Sequence, residues 1–188
     1  MGYLRPKFAP DIRANVFAAA ADAGRFDDSY SMPVLLRNIL LGIAVLLVQW
    51  LIAGRLQIWG AYADIALIFL TLQSLRYGPL VGSLAGFGLG LALDIVYGTW
   101  GIQMFSKTLI GFLIGLFADV ERGAPYFTPG QAVVGMLVIS LLHNGLVVVF
   151  HALESGTRNL FMIAALWLGS SVYTAVIAGI AAPFHSGR

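Results

Sequence analysis

The sequence predicts an all-α integral membrane protein. Hydrophobic residues make up 59% of its 188 residues, charged residues only 11%, and the mean hydropathy is +0.86. Because a soluble domain carries about 25% charged residues, this composition is typical of a chain in a lipid bilayer. Backbone groups in lipid must bond within their own segment, and the apolar runs do not alternate with period two. Helices are therefore favoured over barrel strands.

Six apolar runs are candidates for membrane-spanning helices, for which about 20 residues are needed. They are residues 35–53, 61–75, 79–97, 102–118, 130–153 and 160–182. The second and fourth runs are short for a span, and turn or polar residues separate each run from the next. The sequence thus predicts a six-helix transmembrane domain over residues 35–183, followed by a short tail over residues 184–188.

The amino-terminal arm, residues 1–34, is polar and is expected to stay outside the membrane. A short surface helix from Pro10 to Ala23 and a flexible arm are both compatible with its sequence. With the amino end inside, eight basic residues fall on the inner side of the predicted spans and two on the outer side. Because basic residues favour the cytoplasmic side, arm, tail and both termini are predicted to be cytoplasmic.

Composition and motifs argue against several classes of function. A net charge of +2 gives no reason to expect nucleic acid as a partner, and the absence of cysteine excludes disulfides and thiolate metal sites. Ser83 has no triad context, and the glycines lack the strand and Lys-Ser or Lys-Thr of a phosphate loop. We therefore expect a non-enzyme with no catalytic residues, no cofactor and no metal.

Glycine recurs at every fourth position along the third predicted span. The members of this glycine ridge are Gly78, Gly82, Gly86 and Gly90. Since steps of four advance about 400° on an α-helix, the ridge is a continuous line without side chains. Gly111 and Gly115 repeat the spacing in the next span. Such GxxxG patterns let helices approach closely, so we expect these spans to pack against each other or against a partner's helix.

Polar side chains within the spans fall at one depth, towards the outer side. They are Gln49, Asp64, Asp94, Gln103, Lys107, His143 and Asn144. A charge at mid-bilayer costs about 2.5 to 3.5 kcal/mol on the insertion scale, and a hairpin centred near Trp100 predicts an Asp94–Lys107 ion pair. Three interpretations of the cluster remain open: a ligand or ion pocket, a docking site for a partner's helix, and a buried structural network.

The order of residues from Arg76 to Gly115 resembles the signature of a bacterial family. Its parts are Arg76-Tyr77-Gly78-Pro79-Leu80-Val81-Gly82, Gly86-Phe87, Gly90-Leu91, Asp94-Ile95, Gly98 and Gly111-Phe112. This order is similar to the central motif of the rod shape-determining protein MreD family. The resemblance extends over residues 35–182, with Gln49-Trp50 at the end of the first span and Asp64 opening the second.

The resemblance implies both a fold and a function. Family members are similar to the substrate-binding S-components of energy-coupling-factor transporters, which are six-helix bundles with an outward pocket. They are scaffolds of the elongation machinery in the bacterial inner (cytoplasmic) membrane. Their direct partner is MreC, and their complex includes MreB, RodA and a class B penicillin-binding transpeptidase.

Applied to this chain, the resemblance predicts a non-enzymatic subunit that supports peptidoglycan synthesis and cell shape. The glycine ridge would then be a surface for the single span of MreC, and homo-oligomerisation stays open. The alternative is an S-component-like subunit of a vitamin uptake transporter. The first predicted span lacks the small-residue face that S-components present to their transport engine.

Overall fold

A computed structural model of the protein describes residues 32–53, 55–57, 60–118, 127–155 and 160–185. These residues form five helices, so the prediction of an all-helical chain is confirmed for them. Most of the predicted arm, residues 1–31, lies outside the described residues. Residues 186–188 of the predicted tail also lie outside them.

The helices follow one another along the chain, and two of them contain a π-helical turn. Helix α1 is Met32–Val48 and continues as the π-helical turn Gln49–Ala53. Helices α2, α3 and α4 are Ile65–Tyr97, Ile102–Gly115 and Pro129–Ser155. Helix α5 begins as Leu160–Ala164, widens into the π-helical turn Ala165–Gly169 and continues as Ser170–His185.

Four of these helices, α1, α2, α4 and α5, are long and apolar enough to cross a membrane. Helix α3 is apolar but has only 14 residues, about 21 Å at a rise of 1.5 Å per residue. By length and composition the described chain is therefore a helical membrane protein, with α2 in the place of two predicted spans.

Helix α2 is bent back on itself at Gly78. The backbone there has φ 85° and ψ −176°, a conformation that glycine adopts without a steric penalty, and Pro79 follows. A Cβ added to Gly82 would lie 2.6 Å from the Ser74 hydroxyl, although residues eight apart in a straight helix are about 12 Å apart. Helix α2 is thus a hairpin of two arms, residues 65–77 and 79–97, divided at the boundary that the sequence predicts.

The second arm of α2 and helix α3 pack backbone against backbone. A Cβ added to Gly86 would collide with the carbonyl of Lys107, and one at Gly90 would collide with the backbone of Met104. Gly82 and Gly111 meet in the same way, and Gly115 meets the backbone of Gly78 and Pro79. The glycine ridge is therefore filled by α3 of the same chain, so its interpretation as a surface for the span of MreC is wrong.

The two arms of α2 and helix α3 form one unit. An apolar core joins this unit to the remaining helices. Its buried members are Leu67, Leu70, Leu89, Ile110, Ile114, Met136, Ala175 and Ala178. Helices α4 and α5 pack together on one side of the unit, whereas α1 contacts mainly α2, where Gly42 faces Phe69 and Leu89. Most of α1 is left for lipid, since only 11% of the span Val34–Leu51 is buried.

The glycine contact predicts that only one of two glycines in the same arm is sensitive to an added methyl group. Gly86→Ala places a methyl group against backbone that cannot move aside, so we expect a loss of about 1 to 3 kcal/mol in unfolding free energy. Gly88→Ala is the matched control, because a Cβ at Gly88 meets nothing within 4 Å. Unfolding in detergent, followed by circular dichroism, measures both. Equal stability of the two variants would contradict the backbone contact.

Candidate functional site

The centre of the bundle holds a fully buried ammonium group, that of Lys107. An ammonium has three N–H donors, and all three have an acceptor here. The acceptors are Asp64 Oδ2 at 2.5 Å, Gln103 Oε1 at 3.1 Å and His143 Nε2 at 3.2 Å. Because an unpaired charge inside a membrane is costly, this complete set of partners is what allows the lysine to be buried.

The Asp64 carboxylate pairs with Lys107 and also caps a helix. Its Oδ1 accepts a hydrogen bond from the Leu67 amide at 2.8 Å, which makes Asp64 the N-cap of α2. An anion is favoured at this position because the amino end of a helix carries a partial positive charge. The Asp64 amide donates to Thr174 Oγ1 at 2.9 Å, so one residue connects α2, α3 and α5.

The segment that carries Asp64 is held by Gln49, in the π-helical turn after α1. Gln49 Nε2 donates to the Ala63 carbonyl at 3.0 Å, and its Oε1 accepts from the Ile65 amide at 2.7 Å. The side chain thus pairs with the backbone on both sides of Asp64. It satisfies groups that would otherwise be buried without partners, and it fixes the position of the carboxylate.

A chain of hydrogen bonds continues from Lys107 through α4 to α5. His143 Nε2 accepts from the ammonium, so the network assigns the proton to Nδ1, which donates to Asn144 Oδ1 at 3.1 Å. Asn144 Nδ2 donates to Ser171 Oγ at 3.0 Å, and Ser171 donates to the Trp167 carbonyl at 2.6 Å. Every donor in this path has an acceptor, as buried polar networks require.

The predicted Asp94–Lys107 pair is wrong, because Asp94 binds the amino end of α3 instead. Its Oδ1 accepts from the Gln103 amide at 3.0 Å and from Thr99 Oγ1 at 2.5 Å, and its Oδ2 accepts from the Met104 amide at 2.8 Å. The first amides of a helix have no partners within it and attract an anion. Asp94 therefore fixes the turn between α2 and α3.

The structure brings six of the seven predicted polar residues into one network. They are Gln49, Asp64, Gln103, Lys107, His143 and Asn144. Asp94 lies beside this network rather than in it, bonded to the backbone of Gln103. The arrangement binds one internal cation with internal acceptors, which is the structural-network interpretation of the three that the sequence left open.

Sequence reasoning missed the hydroxyl groups that complete the network. Those from α5 are Ser170, Ser171 and Thr174. In the sequence they are visible only as three hydroxyl residues within about one turn of an apolar helix. This pattern is common and does not by itself indicate a function, because such hydroxyls often bond to the backbone of their own helix. Two further buried hydroxyls, Ser106 and Ser140, have no hydrogen-bond partner among the described residues.

A small cavity lies near the network, beside Gln103. It has a volume of about 120 Å³ and is lined by Gln57, Tyr62, Tyr97, Thr99, Gln103 and His151. In the part of the chain that the structure describes, no three His, Asp or Glu side chains are grouped as metal ligands.

Comparison with known proteins adds no relative. No family model, no curated protein and no solved structure matches the chain.

The network predicts strong coupling between Lys107 and Asp64. Lys107→Met and Asp64→Asn should each lower the unfolding free energy by about 3 to 5 kcal/mol, because each leaves one member of the pair without its partner. The double variant should lose clearly less than the sum of the two, as measured by unfolding in detergent.

Asp94→Ala provides the control for this cycle. It removes a cap and should cost about 0.5 to 2 kcal/mol on its own. Combined with Lys107→Met, its effect should be nearly additive. Coupling of Lys107 to Asp94 rather than to Asp64 would overturn the assignment of the ion pair.

Proposed function

We propose that the chain is a non-enzymatic scaffold of the MreD type in the bacterial inner membrane. In this role it binds MreC and helps couple MreB filaments to RodA and the class B transpeptidase that build peptidoglycan. The proposal rests on the resemblance of the segment Arg76 to Gly115. The observation that supports it most is that the residues of this motif have distinct structural roles in one hairpin unit.

The glycines, the proline and the aspartate of the motif account for features of that unit. Gly78 and Pro79 make the reversal within α2, and Gly82, Gly86 and Gly90 allow the backbone contact with α3. Asp94 caps α3, and Gly98 ends α2 in the left-handed conformation with φ 68°. A motif that specifies a rigid helical frame, with its one buried cation already paired, is what a scaffold requires.

The proposed topology has six crossings with both termini in the cytoplasm. The fold-back at Gly78 supports it, because it makes α2 two antiparallel arms of about 20 and 28 Å at the helical rise. The shorter arm and α3 lie against each other through Leu70 and Gly111, both of which are buried.

The vitamin-transport alternative has less support from the geometry. Pockets for drug-sized ligands typically have about 300 to 1,000 Å³, whereas the polar cavity beside Gln103 has about 120 Å³. The larger cavity, of about 320 Å³, is an open groove lined by the apolar residues Trp100, Ile102, Phe150 and Leu153 and offers no polar side chain for a vitamin. The ammonium of Lys107, the group best suited to an anionic nutrient, already has three acceptors inside the protein. We therefore favour the scaffold.

Co-purification with MreC from a membrane extract tests the scaffold, and site-directed cross-linking locates the surface. The chain has no cysteine, so single changes give unambiguous cross-links. We expect a cross-link to a cysteine in the span of MreC from one of two lipid-facing positions, Leu40→Cys on α1 or Ile180→Cys on α5, which are 57% and 65% exposed. One of the two positions then serves as control for the other.

The scaffold proposal fails if MreC neither co-purifies nor cross-links from either face. Retention of one small nutrient per chain by the purified protein, seen by mass spectrometry, would instead support the transport alternative.

A further inference from the structure

Two cavities of opposite character adjoin at the end of the bundle where α2 turns into α3. The first is the polar cavity beside Gln103, of about 120 Å³. The second is an open apolar groove of about 320 Å³, lined by Trp100, Ile102, Phe150 and Leu153. Three pairs of consecutive residues are divided between the two, namely Thr99 and Trp100, Ile102 and Gln103, and Phe150 and His151. The polar cavity and the apolar groove therefore lie on neighbouring faces of the same turn and the same two helices.

The polar cavity offers an oriented hydrogen-bond donor. Gln103 Oε1 accepts from the Lys107 ammonium, so the orientation of this amide is fixed. Its Nε2 carries the donors of this amide, and Gln103 lines the cavity. Thr99 Oγ1 donates its proton to Asp94 and retains lone pairs as acceptors. A ligand group that both accepts and donates, such as a hydroxyl, matches these two side chains.

The lining of both cavities selects against a charged ligand. None of the lining residues is Asp, Glu, Lys or Arg. Asp94 and Lys107, which hydrogen-bond to the lining residues Thr99 and Gln103, are both paired within the protein. Since an ion taken from water needs a partner of opposite charge, the site suits an uncharged polar group.

The apolar groove is presented by a strained turn. Trp100 is 91% exposed and has φ 30°, the one positive φ of a non-glycine residue in the described chain. Such a conformation costs on the order of 1 to 3 kcal/mol and persists only where the surroundings impose it. The hydrogen bonds of Asp94 to Thr99 and to the start of α3 hold both sides of this turn. These bonds hold the Trp100 backbone in its strained conformation, with the large aromatic ring at the edge of the groove.

We propose that the two cavities form one binding site for an uncharged lipid. Its hydroxyl-bearing headgroup occupies the polar cavity, and an acyl chain follows the groove formed by Trp100, Ile102, Phe150 and Leu153. This proposal does not depend on the scaffold function, because it concerns a ligand of the hairpin end and not a protein partner. A free sugar shares the headgroup chemistry but lacks the chain, so the two sources can be separated.

The test uses the full chain in phosphatidylcholine vesicles that contain equal small amounts of glucosyl diacylglycerol and phosphatidylglycerol. Native mass spectrometry of the protein released from the vesicles counts the lipids that remain bound. We expect one glucosyl lipid per chain, enriched about tenfold over phosphatidylglycerol, which corresponds to ~1.4 kcal/mol. Excess glucose should not displace it. Displacement by glucose would show a sugar site and would overturn the lipid proposal.

Trp100→Gly is the decisive variant, because glycine accepts the positive φ and the protein should melt at the same temperature as the wild type or higher. Its retention of the glucosyl lipid should nevertheless fall about tenfold, again ~1.4 kcal/mol. Ile95→Ala is the control, since Ile95 is 76% exposed and lines neither cavity. Retention that follows the bulk lipid composition, prefers phosphatidylglycerol, or changes equally in both variants would overturn the proposal.

Discussion

The structure depends on one interaction, the burial of the Lys107 ammonium among three acceptors. Those acceptors come from the segment before α2, from α3 itself and from α4. In a low-dielectric interior such a charge tolerates no missing partner, so the relative positions of three elements are fixed together. Gln49 and Thr174 then extend this requirement to α1 and α5, because they hold the backbone around Asp64.

The glycine ridge and the ion pair both depend on the contact between α2 and α3. The carbonyl of Lys107 lies against Gly86, while its side chain extends to Asp64 and His143. Any side chain at Gly86 would push α3 away from α2 and with it the ammonium from its acceptors. The close backbone packing of α2 and α3 therefore places the Lys107 ammonium among its acceptors.

Regular patterns in the sequence predicted much of this arrangement. The spacing of four residues between glycines predicted where α2 and α3 contact each other. Polar residues within apolar runs identified six members of the network, although not which of them pair. The partner of Lys107 was not predictable in the same way. Depth along adjacent spans favours Asp94, whereas the true partner depends on the fold-back at Gly78 and on competition from the free amides of α3. The role of the α5 hydroxyls was not predictable either. Thr174 also donates to the Ser170 carbonyl of its own helix, a bond that such residues make without any part in a network.

The distance along the chain between Asp64 and Lys107 bears on how the protein is made. The carboxylate leaves the ribosome 43 residues before the ammonium that neutralises it. At about 5 to 20 residues per second, this interval is about 2 to 9 s. Until then the Asp64 carboxylate lacks the ammonium that pairs with it in the folded protein. The ion pair at the centre of the bundle can therefore form only once α3 has been made.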